Sequence, residues 1–142
     1  MDSENPNTIP FEVVEHPGDL KLQVRGDSLE ELFANAATGM IHQLFDPAAL
    51  EKEPEAIQSF ELTARDLESL LVDWLSEVLY RVTSDYRAFV DICVSEVKET
   101  SLKATAGAIA AEAVDDIKAV TYHELSIKKR NSLWEATVVF DL

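Results

Sequence analysis

The chain is expected to fold as α+β, with two helices packed on a mostly antiparallel β-sheet, because three patterns recur along it. Two stretches, residues 28–45 and 66–82, space their apolar residues at i, i+3, i+4 and i+7, as one-sided helices do. About six to eight shorter runs alternate apolar and polar side chains, as half-buried strands do. Turn-forming residues separate most of these runs, so hairpins rather than long crossovers join them.

Residues 1–10 hold Pro6 and Pro10 among polar residues and show no period, so a flexible N-terminus is expected ahead of a single domain at 11–142. Phe11–Val14 is short and β-prone. Glu15-His16-Pro17-Gly18-Asp19 interrupts it, and Leu20–Arg25 then alternates as a strand. After the Gly26-Asp27 turn, Ser28 and Glu31 stand in capping-box spacing ahead of Leu29, Leu32, Phe33, Ala36, Met40 and Leu44. Asp46-Pro47 ends that helix, and the acidic stretch around Pro54 is an exposed connection. Ile57–Ala64 is a strand leading into the second helix, where Asp66 is the N-cap and Leu67, Leu70, Leu71, Trp74, Leu75, Val78, Leu79 and Val82 form the buried stripe.

Beyond it, Ala88–Val97 is apolar on both faces, which predicts a central or doubly covered strand. Leu102, Ala104 and Ala106 alternate and favour a strand over a helix. Residues 118–129 read as one long alternating strand, Arg130-Asn131-Ser132 as a turn, and Leu133–Asp141 as its hairpin partner, with Trp134, Ala136, Val138 and Phe140 on one face.

A chain of 142 residues can bury about two-thirds of its unfolded surface without disulfides. The single Cys93 lies in an apolar run and is expected to be buried and reduced. Twenty-seven acids against twelve lysines and arginines give a net charge of −15, which opposes direct nucleic-acid binding. The one basic cluster, Lys128-Lys129-Arg130, falls at a turn and is expected to be solvated. No apolar run is long enough for a membrane span, and a cytoplasmic, non-membrane protein is expected. The acidity suits a basic protein partner or a salty cytoplasm, and composition does not separate them.

Phosphate-binding glycine loops and nucleophile elbows are absent from the sequence, and His16, His42 and His123 are too scattered for a zinc site. Asp19 ends a Pro-Gly turn, where a carboxylate either ligates a hard cation or accepts amides of its own turn. Asp141 stands next to last in the sequence. Tyr122 and His123 should point to opposite faces of a strand, one of them into the core. Lys118 begins that strand, as an edge charge does.

Glu15-His16-Pro17-Gly18-Asp19, the helix opening Asp66-Leu67-Glu68-Ser69-Leu70-Leu71-Val72-Asp73-Trp74-Leu75, Lys118-Ala119-Val120-Thr121-Tyr122-His123 and the closing Val139-Phe140-Asp141-Leu142 together resemble the archease family. The resemblance runs in order over nearly the whole chain. It implies a small α+β protein that is not an enzyme itself but activates a GTP-dependent, RtcB-type RNA ligase, promoting guanylylation of the ligase and its multiple turnover in tRNA splicing and RNA repair. It also implies a metal site at Asp19, Asp141 and Leu142, the last residue contributing an oxygen. His16, Lys118 and His123 become partner contacts because they lie in the matching stretches. Pro17 and Gly18 depart from the family's threonine and alanine.

Oxygen donors without sulfur suit a divalent cation, calcium first, with magnesium or manganese as alternates. A general chaperone or scaffold that keeps a nucleic-acid enzyme soluble is the competing expectation. A metal-dependent hydrolase ranks behind both, because no base or phosphate-binding group accompanies the two acids.

Overall fold

The computed structural model describes residues 10–14 and 17–142, so the expected flexible N-terminus, apart from Pro10, and the candidate contact His16 lie outside the described residues. Among the described residues there are two α-helices and seven strands in two antiparallel sheets. The first sheet has the order β1-β2-β7-β6, formed by Phe11–Val14, Asp19–Gly26, Leu133–Asp141 and Ala119–Arg130. The second has the order β3-β5-β4, formed by Ala56–Thr63, Ser101–Ala110 and Arg87–Lys98. The expected α+β class stands, with the strands divided between two sheets.

The helices begin where the caps place them. Helix α1 spans Leu29–Leu44; Ser28 Oγ accepts from the Glu31 amide at 3.1 Å, and Glu31 Oε1 accepts from the Asp27 amide at 2.9 Å. Two otherwise unpaired amide donors are thereby satisfied. Helix α2 spans Leu67–Asp85, three residues beyond the expected end, and Tyr86 closes it in a left-handed conformation. Asp66 Oδ1 accepts from the Ser69 amide at 2.8 Å, and that bond, ahead of the Ser69 side chain and Arg65, holds the Asp66 carboxyl below its ordinary range.

Both helices turn their apolar stripes to the sheets, α1 against β2 and β4, and α2 chiefly against β6. Trp74 is the join. It is fully buried, its Nε1 donates to the Phe33 carbonyl of α1 at 2.9 Å, and its ring meets Phe60 edge-on at 5.1 Å. Phe60 in turn meets Phe89 at 5.7 Å, which ties β3 and β4 into the same cluster. From β2 and β7, Leu22, Val24, Ala136, Val138 and Phe140 complete the core.

Two strand expectations are corrected. Strand β4 is an edge strand, and β5, the alanine-rich stretch, takes the central place. Small side chains at Ala104, Ala106, Gly107 and Ala108 fit that crowded position, all of them buried. Cys93 is exposed rather than buried. One extra residue between Val90 and Cys93, with Asp91 at φ 51°, shifts the alternation and turns the thiol outward.

Candidate functional site

Strand pairing brings together acids that are far apart in sequence. Asp19 opens β2 and is the direct partner of Asp141 at the end of β7, and Asp141 is in turn the partner of Ala119 at the start of β6. Side chains on such a rung project to one face, with Cα atoms about 5 Å apart. Leu20, Leu22 and Val24 take the inner face with Phe140, Val138 and Ala136, so the alternation puts Asp19 and Asp141 on the outer face. Asp141 is exposed and Asp19 half-buried.

The approach to Asp19 is a turn in which Gly18 has φ 79°, a region an L side chain enters at a cost, so glycine suits the departure from the family pattern here. The Lys118 amide donates to the Asp141 carbonyl at 2.8 Å, which fixes the start of β6 against the end of β7. The structure therefore joins Asp19 and Asp141 on the outer face at one end of the sheet, with Leu142 and Lys118 adjoining that rung in the chain.

His123 stands apart from that rung. Between Thr121, paired with Val139, and Ser126, paired with Thr137, β6 carries four residues where β7 carries one. This bulge exposes both Tyr122 and His123, so the expectation that one of them enters the core is corrected. It folds Glu124, at φ 54°, toward β2, where Glu124 Oε1 accepts from Lys21 Nζ at 2.9 Å. His123 Nε2 lies 3.4 Å from Glu124 Oε2. Val139, on the outer face one rung in from the acids, is 1% exposed, and the Thr121 hydroxyl donates to its carbonyl at 2.8 Å.

Lys21 and Glu124 were missed in the sequence. The signal was a change of parity: Val120 lies at an even position, whereas Leu125 and Ile127, which also pack against the core, lie at odd ones. An odd insertion between them is the simplest way to keep all three inside.

The donor chemistry at the paired acids fits a hard divalent cation. Asp19, Asp141 and an oxygen of Leu142 are oxygen donors, with neither sulfur nor imidazole required, as calcium, magnesium and manganese favour. Among the described residues no three histidine, cysteine or acidic side chains gather into a metal-holding cluster, so water or a partner's groups would complete the shell. Beside this end, Ser76, Leu79, Tyr80 and Thr83 of α2 and residues 117–120 line a groove of about 290 Å³. Tyr80 is 58% exposed on its wall, and Leu142 is 50% exposed. No helix of the described residues is long and apolar enough to cross a membrane.

Comparison with known proteins gives a consistent result. Residues 11–142 match the Archease protein family (MTH1598/TM1083). The chain is 37% identical to Protein archease of Methanosarcina mazei over 93% of this chain and 95% of that one, and 32% identical to Protein archease of Methanopyrus kandleri over 94% and 100%. The solution structure of Methanobacterium thermoautotrophicum protein 1598 superposes with a TM-score of 0.70 at 30% identity, covering 94% of this chain and 99% of that one. A crystal structure from Thermotoga maritima, described as an archease, possible chaperone, shares the fold at a TM-score of 0.62 and 24% identity, over 91% and 94%.

Proposed function

The chain belongs to the archease family, and from that premise we propose that it is an accessory protein that activates a GTP-dependent, RtcB-type RNA ligase in tRNA splicing and RNA repair, and is not itself a catalyst. The observation that carries the proposal is the direct pairing of Asp19 with Asp141 at the exposed end of the four-stranded sheet. Two carboxylates on one rung, beside Leu142, make a compact acidic tip that can enter a basic, phosphate-handling active site. A bound calcium, magnesium or manganese ion would supply a concentrated positive charge at that tip.

The chain's own residues do the rest. The Lys21–Glu124 bridge and the covered Val139 close the inner side of the tip, so the acids face outward on a rigid base. Lys118 holds β6 beside Asp141 through its backbone and leaves its side chain exposed for the partner. The groove beside Tyr80 offers apolar surface next to the charged tip, and a net charge of −15 favours encounter with a basic enzyme over direct binding of RNA. The partner in this proposal is the ligase in the cytoplasm, with no membrane and, at the acidic tip, no direct nucleic-acid contact, and with His123 among the exposed contacts.

Single- and multiple-turnover ligation by the partner enzyme, with and without this protein and its Asp19→Ala form, tests the proposal. Stimulation by the wild type and none by the variant is expected, at equal thermal stability. Equal stimulation by both refutes the site. A general chaperone is the second reading, favoured by the description of the Thermotoga maritima relative. It predicts suppressed aggregation of unrelated proteins and indifference to Asp19→Ala.

A further inference from the structure

At the other end of the same outer face the charge reverses. Six residues along β2 from Asp19, about 20 Å away at strand rise, Arg25 pairs with Glu135 of β7, which pairs with Lys128 of β6. The next rung inward is Gln23, Thr137 and Ser126. These two rungs, with Arg130 at the hairpin end, line a cleft of about 300 Å³. Three cations there face one lining carboxylate, with Glu12 just beyond the lining at 3.3 Å from Arg25 Nη1, on a chain whose acids outnumber its lysines and arginines twenty-seven to twelve.

We propose that this cleft is a binding site for a compact phosphate anion, an oligophosphate or a terminal phosphate monoester, recognised by Arg25, Lys128 and Arg130 with the hydroxyls of Ser126 and Thr137. The inference is independent of the acidic tip and of the ligase proposal. Two guanidiniums and an ammonium line one cleft with two hydroxyls, and that many donors match the three or more oxygens of a phosphate better than the two of a carboxylate. Among the described residues, no hydrogen bond or ion pair engages the Lys128 ammonium or the Ser126 and Thr137 side-chain hydroxyls. Glu135 is the internal stand-in for the ligand. It lies 3.7 Å from both Arg25 Nε and Arg130 Nε and holds the two guanidiniums on either side of the cleft.

A polynucleotide backbone suits the cleft less well. Among the described residues no aromatic ring lines it for base stacking, since Trp134 lies on the opposite face under Lys129 at 5.6 Å, and the overall field repels an extended polyanion. The size lies at the small end of ligand pockets.

Calorimetric titration of the full chain with inorganic pyrophosphate tests the site. The wild type should bind, more weakly as salt rises. The Lys128→Gln/Arg130→Gln double variant should bind at least about ten-fold more weakly, because two charge-assisted contacts are lost, with an unchanged unfolding midpoint. Glu135→Gln should bind more tightly, since it frees the Arg130 guanidinium and leaves Arg25 held by Glu12 alone; a merely structural role for Glu135 would not raise affinity. Short RNAs with and without a terminal phosphate then separate the two sources: preference for the phosphorylated end assigns the monoester, and pyrophosphate binding without that preference assigns the free oligophosphate. No pyrophosphate binding by the wild type, binding undiminished in the double variant, weaker binding by Glu135→Gln, or RNA binding without pyrophosphate binding would each overturn the proposal.

Discussion

Phe140 and Asp141 are adjacent in sequence and lie on opposite faces of one strand. Phe140 is fully buried among residues from β2, β7 and the helices, whereas Asp141 is exposed beside Asp19. The inner face of the four-stranded sheet holds the packed core, and its outer face carries the charged side chains of both proposed sites. Strand alternation keeps the two separable at single-residue resolution.

The sharpest way to break this comparison is to truncate the inner face. Phe140→Ala and Trp74→Ala should each lower unfolding stability by about 3 to 5 kcal/mol, since each leaves a large buried void, and Trp74 also abandons the Phe33 carbonyl. Denaturant unfolding measures this, and a loss below about 1 kcal/mol would show that the core is not where the packing places it. Ser28→Ala should cost about 1 kcal/mol in the same assay by removing the α1 cap. Gly18→Ala should cost about 1 kcal/mol through its positive φ, with space for the added methyl; a neutral result would mean that the turn before Asp19 relaxes freely.

Acid should affect a helix end before it affects the core. The Ser69 amide lowers the Asp66 carboxyl below its ordinary 3.8, so its stabilising contribution is complete above about that pH and disappears as pH falls through the lowered value. Protection of the first-turn amides of α2 against exchange, relative to the intrinsic rate at each pH, should therefore fall below about pH 4, and Asp66→Asn should remove that pH dependence. Smallest of all in stability should be Asp19→Ala and Asp141→Ala, within about 0.5 kcal/mol of wild type, because both sit on the outer face at a strand end.

The inner face was largely legible in the sequence and the outer face was not. Ser28, Glu31 and Asp66 announce the helix starts through local capping chemistry, and Leu70, Trp74 and Val78 announce the buried stripe through a period that needs no tertiary information. The closing hairpin was legible for the same reason, with Asn131 and Ser132 taking the positive φ of its turn. Asp19 and Asp141 become neighbours only through the register of β2 on β7, which local pattern does not contain; the family resemblance, rather than spacing, singled them out. The bulge at residues 122–125 hid in a run that looked evenly alternating, and with it went Lys21 and Glu124. Lys128 and Arg130 are exposed, as the sequence leads one to expect of a solvated turn; only the register that sets Arg25 and Glu135 beside them makes a cleft.

The central claim, that the outer-face acids together hold a divalent cation, is tested most directly by calorimetric titration of calcium into the wild type and Asp19→Ala. The account predicts binding of one calcium ion per chain by the wild type and none by the variant, at matched unfolding midpoints. Equal calcium binding by the two proteins would contradict it.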